Sequence, residues 1–263
     1  MLSKVFKYDI RSLRNTILTM LVVLLSLGLV GFGVRMWILR TEAGDSFFPN
    51  LGLYGLWILT MIGIVTVAVA GGILILYRYY KSVFTDEGYL TMTLPVGTHA
   101  LLLGKMFAAF LYALALAVAA GVAYTIAVTI PTVLEMIEQG YLQDFWEYFS
   151  GMDILGSLWE DVPTAVFGIV NAFFTAVREF VLLYAAVTFG ATAMKKAKLV
   201  GVVLFVFLIS FVNSILSTLL ALLTSMVESM ILTYSVDILL SAIVILIFYY
   251  LTYHLLHRNF NIE

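Results

Sequence analysis

The stretch Asp86-Glu87-Gly88-Tyr89-Leu90-Thr91-Met92-Thr93-Leu94-Pro95-Val96, running on to Lys105, is the polar break in an otherwise apolar segment, and the rest of the chain is arranged about it. Asp86 can cap a helix by accepting a bond from an amide two or three residues on. Glu87 then falls in the first turn, where the helix dipole favours a negative charge. Pro95 has no amide hydrogen and biases Leu94 away from helical geometry, so the helix stops there. Glu87 to Leu94 is about two turns long. A helix that short is marginal alone and needs a surface to pack on. Tyr89, Leu90, Met92 and Leu94 supply apolar contact area on more than one side.

On either side the chain is strongly apolar: 63% hydrophobic and 11% charged, with a mean hydropathy of +1.07. A soluble domain runs near 45–50% apolar and about 25% charged. The 263 residues therefore read as an all-α polytopic membrane protein with six transmembrane helices. Going back from the polar stretch, the second span covers about Leu53 to Leu76 and the first about Ile17 to Val34. The loop between them, Arg35 to Asn50, carries Trp37, Phe47 and Phe48, which suit a membrane interface. In residues 1–15, Leu2, Phe6, Ile10 and Leu13 share one helical face, with Lys4, Lys7, Arg11 and Arg14 on others. That pattern predicts a helix lying in the membrane surface. Going forward, the third span runs from about Leu101 to Ile130, and Ala109, Ala113, Ala117 and Gly121 recur every four residues as a stripe for close helix approach.

Residues 131–161 hold Glu135, Glu138, Asp144, Glu147, Asp153, Glu160 and Asp161 without a Lys or Arg. Leu142, Phe145, Trp146 and Phe149 follow a helical spacing there, so one or two short amphipathic helices are expected. The fourth, fifth and sixth spans cover about Val166 to Ala193, Leu199 to Leu223 and Met230 to Leu256. The whole chain, 1–263, reads as a single transmembrane domain. Its parts are the interfacial helix 1–15, spans one to three over 16–130, the segment 131–161, and spans four to six with a tail over 162–263.

Basic residues set the orientation. With both termini inside, the inner segments hold Lys4, Lys7, Arg11, Arg14, Arg78, Lys81, Lys105, Lys195, Lys196, Lys198 and Arg258, eleven of the fourteen. The outer loops hold Arg35 and Arg40, and Arg178 lies within a span. This bias predicts a multi-pass protein of the cell (plasma) membrane with cytoplasmic termini, a cytoplasmic 86–105 loop and an extracellular 131–161 segment.

The Asp-Glu-Gly-Tyr-Leu, Leu-Pro and Lys105 pattern resembles the coupling loop of ABC-2 type transporter permeases, the small ABC exporters of Gram-positive bacteria. The ending His257-Arg258-Asn259-Phe260-Asn261-Ile262-Glu263 is similar to the basic-then-Leu-Asn-Leu-Glu ending of the same permeases, with Phe260 and Ile262 in the leucine places. The resemblance implies a coupling loop over 78–105 in which Asp86, Glu87, Gly88, Tyr89, Leu90, Met92, Leu94 and Pro95 dock on a separate ABC ATPase subunit. It further implies a second permease subunit, as a homodimer or a paralogous heterodimer, and alternating access driven by ATP and Mg held on the ATPase. Only these two segments are specific; the 131–161 segment and the span-four charges follow no quotable family pattern.

The chain itself has no Gly-x-x-x-x-Gly-Lys-Ser/Thr loop, so it is not expected to be the ATPase. It has no His-Glu-x-x-His and no Gly-x-Ser-x-Gly elbow. With no cysteine, thiolate metal sites are excluded. The expectation is a non-enzymatic subunit with no cofactor or metal of its own and no nucleic acid partner, embedded in the lipid bilayer. The alternatives are an ion-coupled secondary transporter, which would show an internal repeat, and a non-transporting membrane scaffold or immunity protein. One more feature stands out. Arg178 and Glu179 are the charges deep in a span, and Asp237 is the nearest acid by depth, a candidate intramembrane charge network. Adjacent helix positions point about 100° apart, so Arg178 and Glu179 are expected to seek separate partners. An ion pair with Asp237, a place on a substrate path, and solvation at the outer surface all stay open for Arg178.

Overall fold

The computed structural model describes residues 2–41, 47–85, 88, 97–141, 154–194, 196–224 and 229–260. All regular structure among them is helical. A bilayer core offers the backbone no water, so each spanning segment must satisfy its own amides, as a helix does. Helix α1 spans Leu2–Thr41, α2 Phe47–Phe84 and α3 Thr98–Tyr124. A π-helical turn, Thr125–Thr129, joins α3 to α4, Ile130–Glu138. Then come α5 Ile154–Ala193, α6 Lys198–Thr224 and α7 Met230–Phe260. Among the described residues, six stretches are long and apolar enough to cross a membrane: Phe6–Thr41, Leu51–Phe84, Thr98–Glu138, Val162–Ala193, Lys198–Leu222 and Met230–Arg258. The protein is an all-α polytopic membrane protein.

Several boundaries differ from the sequence expectation. The 1–15 segment does not end before the first span, because α1 runs unbroken through it. The physical reason is the lack of any Gly or Pro before Gly28 to interrupt the backbone ladder. The third span does not stop at Pro131 but continues to Glu138. Much of the polar 78–105 interval is also helix, since α2 reaches Phe84 and α3 begins at Thr98. The amphipathic pattern at Leu142–Phe149 lies outside the described residues.

The chain divides into two compact units. One comprises Tyr8–Ile75 and Leu111–Ile154; the other comprises Met1–Lys7, Leu76–Phe110 and Leu155–Glu263. In the first, α1 and α3 meet backbone to backbone. A Cβ added to Gly28 would lie 2.8 Å from Ala123 Cα, so only glycine permits this approach. The small residues buried here are Ala119 and Ala123 of α3 and Ala127 of the π turn; of the expected row Ala109, Ala113, Ala117 and Gly121, Ala109 is buried but Ala117 and Gly121 are exposed. An i+4 row drifts about 40° per step on a helix of 3.6 residues per turn, so a long row leaves the face it starts on.

The π turn has a local cause. Pro131 has no amide hydrogen to give the carbonyl four residues back, that of Ala127, and its ring crowds the same carbonyl. The backbone widens instead, and Ile130 N–H bonds the Thr125 carbonyl five residues back. Ala127 O receives a substitute donor, the Trp57 indole N–H, at 3.4 Å. Arg35 lies 5.8 Å from the Trp57 ring centroid and pairs with Glu135 Oε2 at 3.2 Å.

Candidate functional site

The second unit carries both regions singled out by sequence. In the first of them, helix ends around the 86–96 stretch are tied together. The Lys105 ammonium, seven residues into α3, donates to Ser82 Oγ near the end of α2 at 3.0 Å, and both residues are buried. The Lys198 ammonium, first residue of α6, donates to the carbonyl of Phe84, last residue of α2, at 3.1 Å. A cation on a terminal carbonyl also answers the helix dipole. Tyr79 on α2 reaches Thr188 on α5 at 3.0 Å. The Thr188 hydroxyl already donates to Tyr184 O at 2.9 Å, so Tyr79 is the donor in that pair. The rings of Tyr79 and Tyr184 lie 4.0 Å apart.

Of the eight coupling-loop residues, Gly88 is described; Asp86, Glu87, Tyr89, Leu90, Met92, Leu94 and Pro95 lie outside the described residues. Gly88 N–H bonds Thr85 O at 2.8 Å. Gly88 is buried so tightly on Val83 that any Cβ would strike the Val83 carbonyl. Thus the loop leaves α2 through a turn that admits no side chain at this position. His99, at the start of α3, stacks on Tyr253 at 3.6 Å and shares a hydrogen bond with the Tyr249 hydroxyl at 3.1 Å. It sits in an aromatic cluster, and among the described residues no group of three or more His, Cys, Asp or Glu could hold a metal ion.

The second region is a cavity of about 610 Å³ walled by α5, α6 and α7. Its lining follows helical spacing on all three. Helix α5 contributes Asn171, Thr175, Arg178 and Leu182, and α7 contributes Asp237, Leu240, Val244 and Phe248. On α6 the lining row runs from Leu208 to Thr224 and includes Val212, Asn213, Leu216 and Ser217. One face of each helix is therefore turned inward. Apolar side chains dominate, with a few polar groups among them, which is the usual make-up of a small-molecule site between helices.

Arg178 and Glu179 do pair directly: Arg178 Nη2 meets Glu179 Oε1 at 3.0 Å. The expectation that neighbouring positions would keep them apart was set by Cβ direction, but the long guanidinium side chain bends around the helix. Glu179 Oε1 also accepts from Asn213 Nδ2 at 2.8 Å. The other arm of Arg178, Nη1, donates to Ser241 Oγ at 3.3 Å. Asp237, four residues before Ser241, lines the same cavity without a partner among the described residues. Arg178 Nε and Asn171 Oδ1 are buried with no hydrogen-bond partner among the described residues. Sequence reasoning missed Asn171, Thr175, Asn213 and Ser217. The signal was present: Asn171, Thr175 and Arg178 recur at i, i+4 and i+7 within an apolar span.

Comparison with known proteins gives no match: no family model matches the chain, and neither a curated protein nor a solved structure does.

Proposed function

We propose that the protein is the permease subunit of an ATP-driven ABC exporter. The observation that carries this reading is the set of ties around the 86–96 stretch. Ser82 to Lys105 and Phe84 to Lys198 join the end of α2 to the starts of α3 and α6, and Tyr79 joins α2 to α5. A push on the loop is then felt by four spans at once, as a coupling element requires. The loop's own sequence, with a capping residue type at Asp86 and a helix-stopping proline at Pro95, is what would dock. In this reading the loop and both termini face the cytoplasm. A separate ATPase binds ATP and Mg, a second permease subunit completes the pathway, and this chain carries no catalysis of its own.

Asp237, which lines the same cavity as Arg178 and has no partner among the described residues, favours one rival, a transporter driven by an ion gradient. Purification of the affinity-tagged chain from its native membrane separates the two. The exporter reading expects a stoichiometric ATPase whose hydrolysis is stimulated by the permease, and expects Glu87→Lys to abolish that stimulation while the chain still inserts. Transport that persists without ATP and collapses with the ion gradient would overturn it in favour of the rival.

A further inference from the structure

The α5–α6–α7 cavity has a polar end and an apolar end, and the register of the helices shows which groups share a level. Arg178 on α5 touches Ser241 on α7, and a Cβ on Gly168 of α5 would lie 3.6 Å from the Tyr234 ring of α7. Both contacts advance together, so the two helices run parallel, offset by 63 to 66 positions. Asp237 is therefore level with positions 171–174, and Asn171 Oδ1 with it. Both are hydrogen-bond acceptors on one cavity wall, and neither has a partner among the described residues. The cation one to two turns further along, Arg178, is already matched by Glu179, which Asn213 holds in place. The lining charges are Arg178 and Asp237; because Glu179, outside the lining, takes up the Arg178 charge, Asp237 is the lining carboxylate left without a cation of its own among the described residues. Beyond it, Val212, Leu240 and Val244 form an apolar wall.

We propose that this cavity binds an organic monocation, an apolar body bearing one ammonium group, with the ammonium donating to Asp237 and Asn171. An unpartnered carboxylate at membrane depth is costly, and a bound ammonium removes that cost while satisfying both acceptors. The volume of about 610 Å³ suits a small amphiphile and not a folded peptide. As the cargo of an exporter, this ligand rests on the reading above. Binding itself is measured on the permease chain without any ATPase, so the two fail separately.

The test is a titration of the full chain in phosphatidylcholine nanodiscs, with empty nanodiscs subtracted. Dansylcadaverine is the cationic probe; its N-acetyl derivative is the neutral one, and dansyl-aminohexanoate the anionic one. The proposal expects saturable binding of the cation at one site per chain, at least about tenfold tighter than either analogue, as one charge-assisted bond supplies. Asp237→Asn should remove that preference, and Val244→Trp, which fills the apolar end, should weaken cation and neutral probe alike. Should Asp237→Asn fail to insert, the three probes on the unaltered chain decide alone. Equal binding of the neutral probe, tighter binding of the anion, or no saturable binding of the cation overturns the proposal, as does an Asp237→Asn chain with undiminished cation preference.

Discussion

Trp57→Phe isolates the bond that compensates for Pro131. The phenyl ring keeps the apolar contact and a face for Arg35, whose guanidinium lies 5.8 Å from the ring centroid. What is lost is the indole N–H donated to Ala127 O at 3.4 Å. Ala127 is fully buried, and the amide that would serve its carbonyl in an α-helix, that of residue 131, is missing because residue 131 is proline. Leaving a buried acceptor unsatisfied costs about 1–3 kcal/mol, and the length of this bond argues for the lower end, about 1 kcal/mol. For a chain of this size that is a fall of about 2–4 °C in melting temperature. In a Pro131→Ala background the alanine amide can serve Ala127 O directly once the π turn relaxes. There the same Trp57→Phe change should cost less than about half as much. The assay is thermal unfolding of all four variants in one detergent, read as a double-mutant cycle. An equal loss in both backgrounds would refute the account of the π turn.

Three other outcomes follow. Gly190→Ala should destabilise by about 1–3 kcal/mol, because a Cβ there lies 2.5 Å from Gly201 O across the α5–α6 turn. Gly121→Ala, with nothing within 4 Å, should be neutral or gain up to about 1 kcal/mol from helix propensity; melting curves of the pair check both. Thr188→Val should cost more than Tyr79→Phe, about 1–3 against about 0.5–1 kcal/mol, since the first strands the buried Tyr79 hydroxyl donor and the second leaves Thr188 bonded to Tyr184 O. For orientation, Gln143→Cys should react with a membrane-impermeant thiol reagent on intact cells and Ala197→Cys should not. The reverse pattern would invert the positions proposed for the loop and the termini.

The six spans are legible in the sequence because each is an apolar run longer than a bilayer needs, and hydropathy reads length well. Their ends are less legible. Nothing in residues 1–27 forces a break, and Pro131, an ordinary stop signal, is absorbed by a π turn whose missing donor comes from Trp57, seventy positions away. The alanine row holds at Ala109 and fails at Ala117 and Gly121 for a geometric reason: further along, the small face turns through Ala119, Ala123 and Ala127. The depth and rarity of Arg178, Glu179 and Asp237 draw attention to the region where Arg178 and Asp237 line a cavity. Their pairing does not follow from spacing, since Arg178 bends to its own neighbour and reaches Ser241 one turn past Asp237. Asn171 and Asn213 become meaningful only when three helices bring their inward rows together.

Docking of residues 86–95 on a separate ATPase, as proposed above, can be captured directly. The chain has no cysteine, so a benzophenone attached to Tyr89→Cys reports on that loop alone. Photolysis in native membranes, followed by mass spectrometry of the adduct, is the direct measurement. The account predicts an adduct with a protein carrying a Gly-x-x-x-x-Gly-Lys-Ser/Thr phosphate loop, in a yield that changes with ATP, and none from the same label at Gln143→Cys. A Tyr89→Cys label that captures no such protein, or a Gln143→Cys label that captures it equally, would contradict the claim.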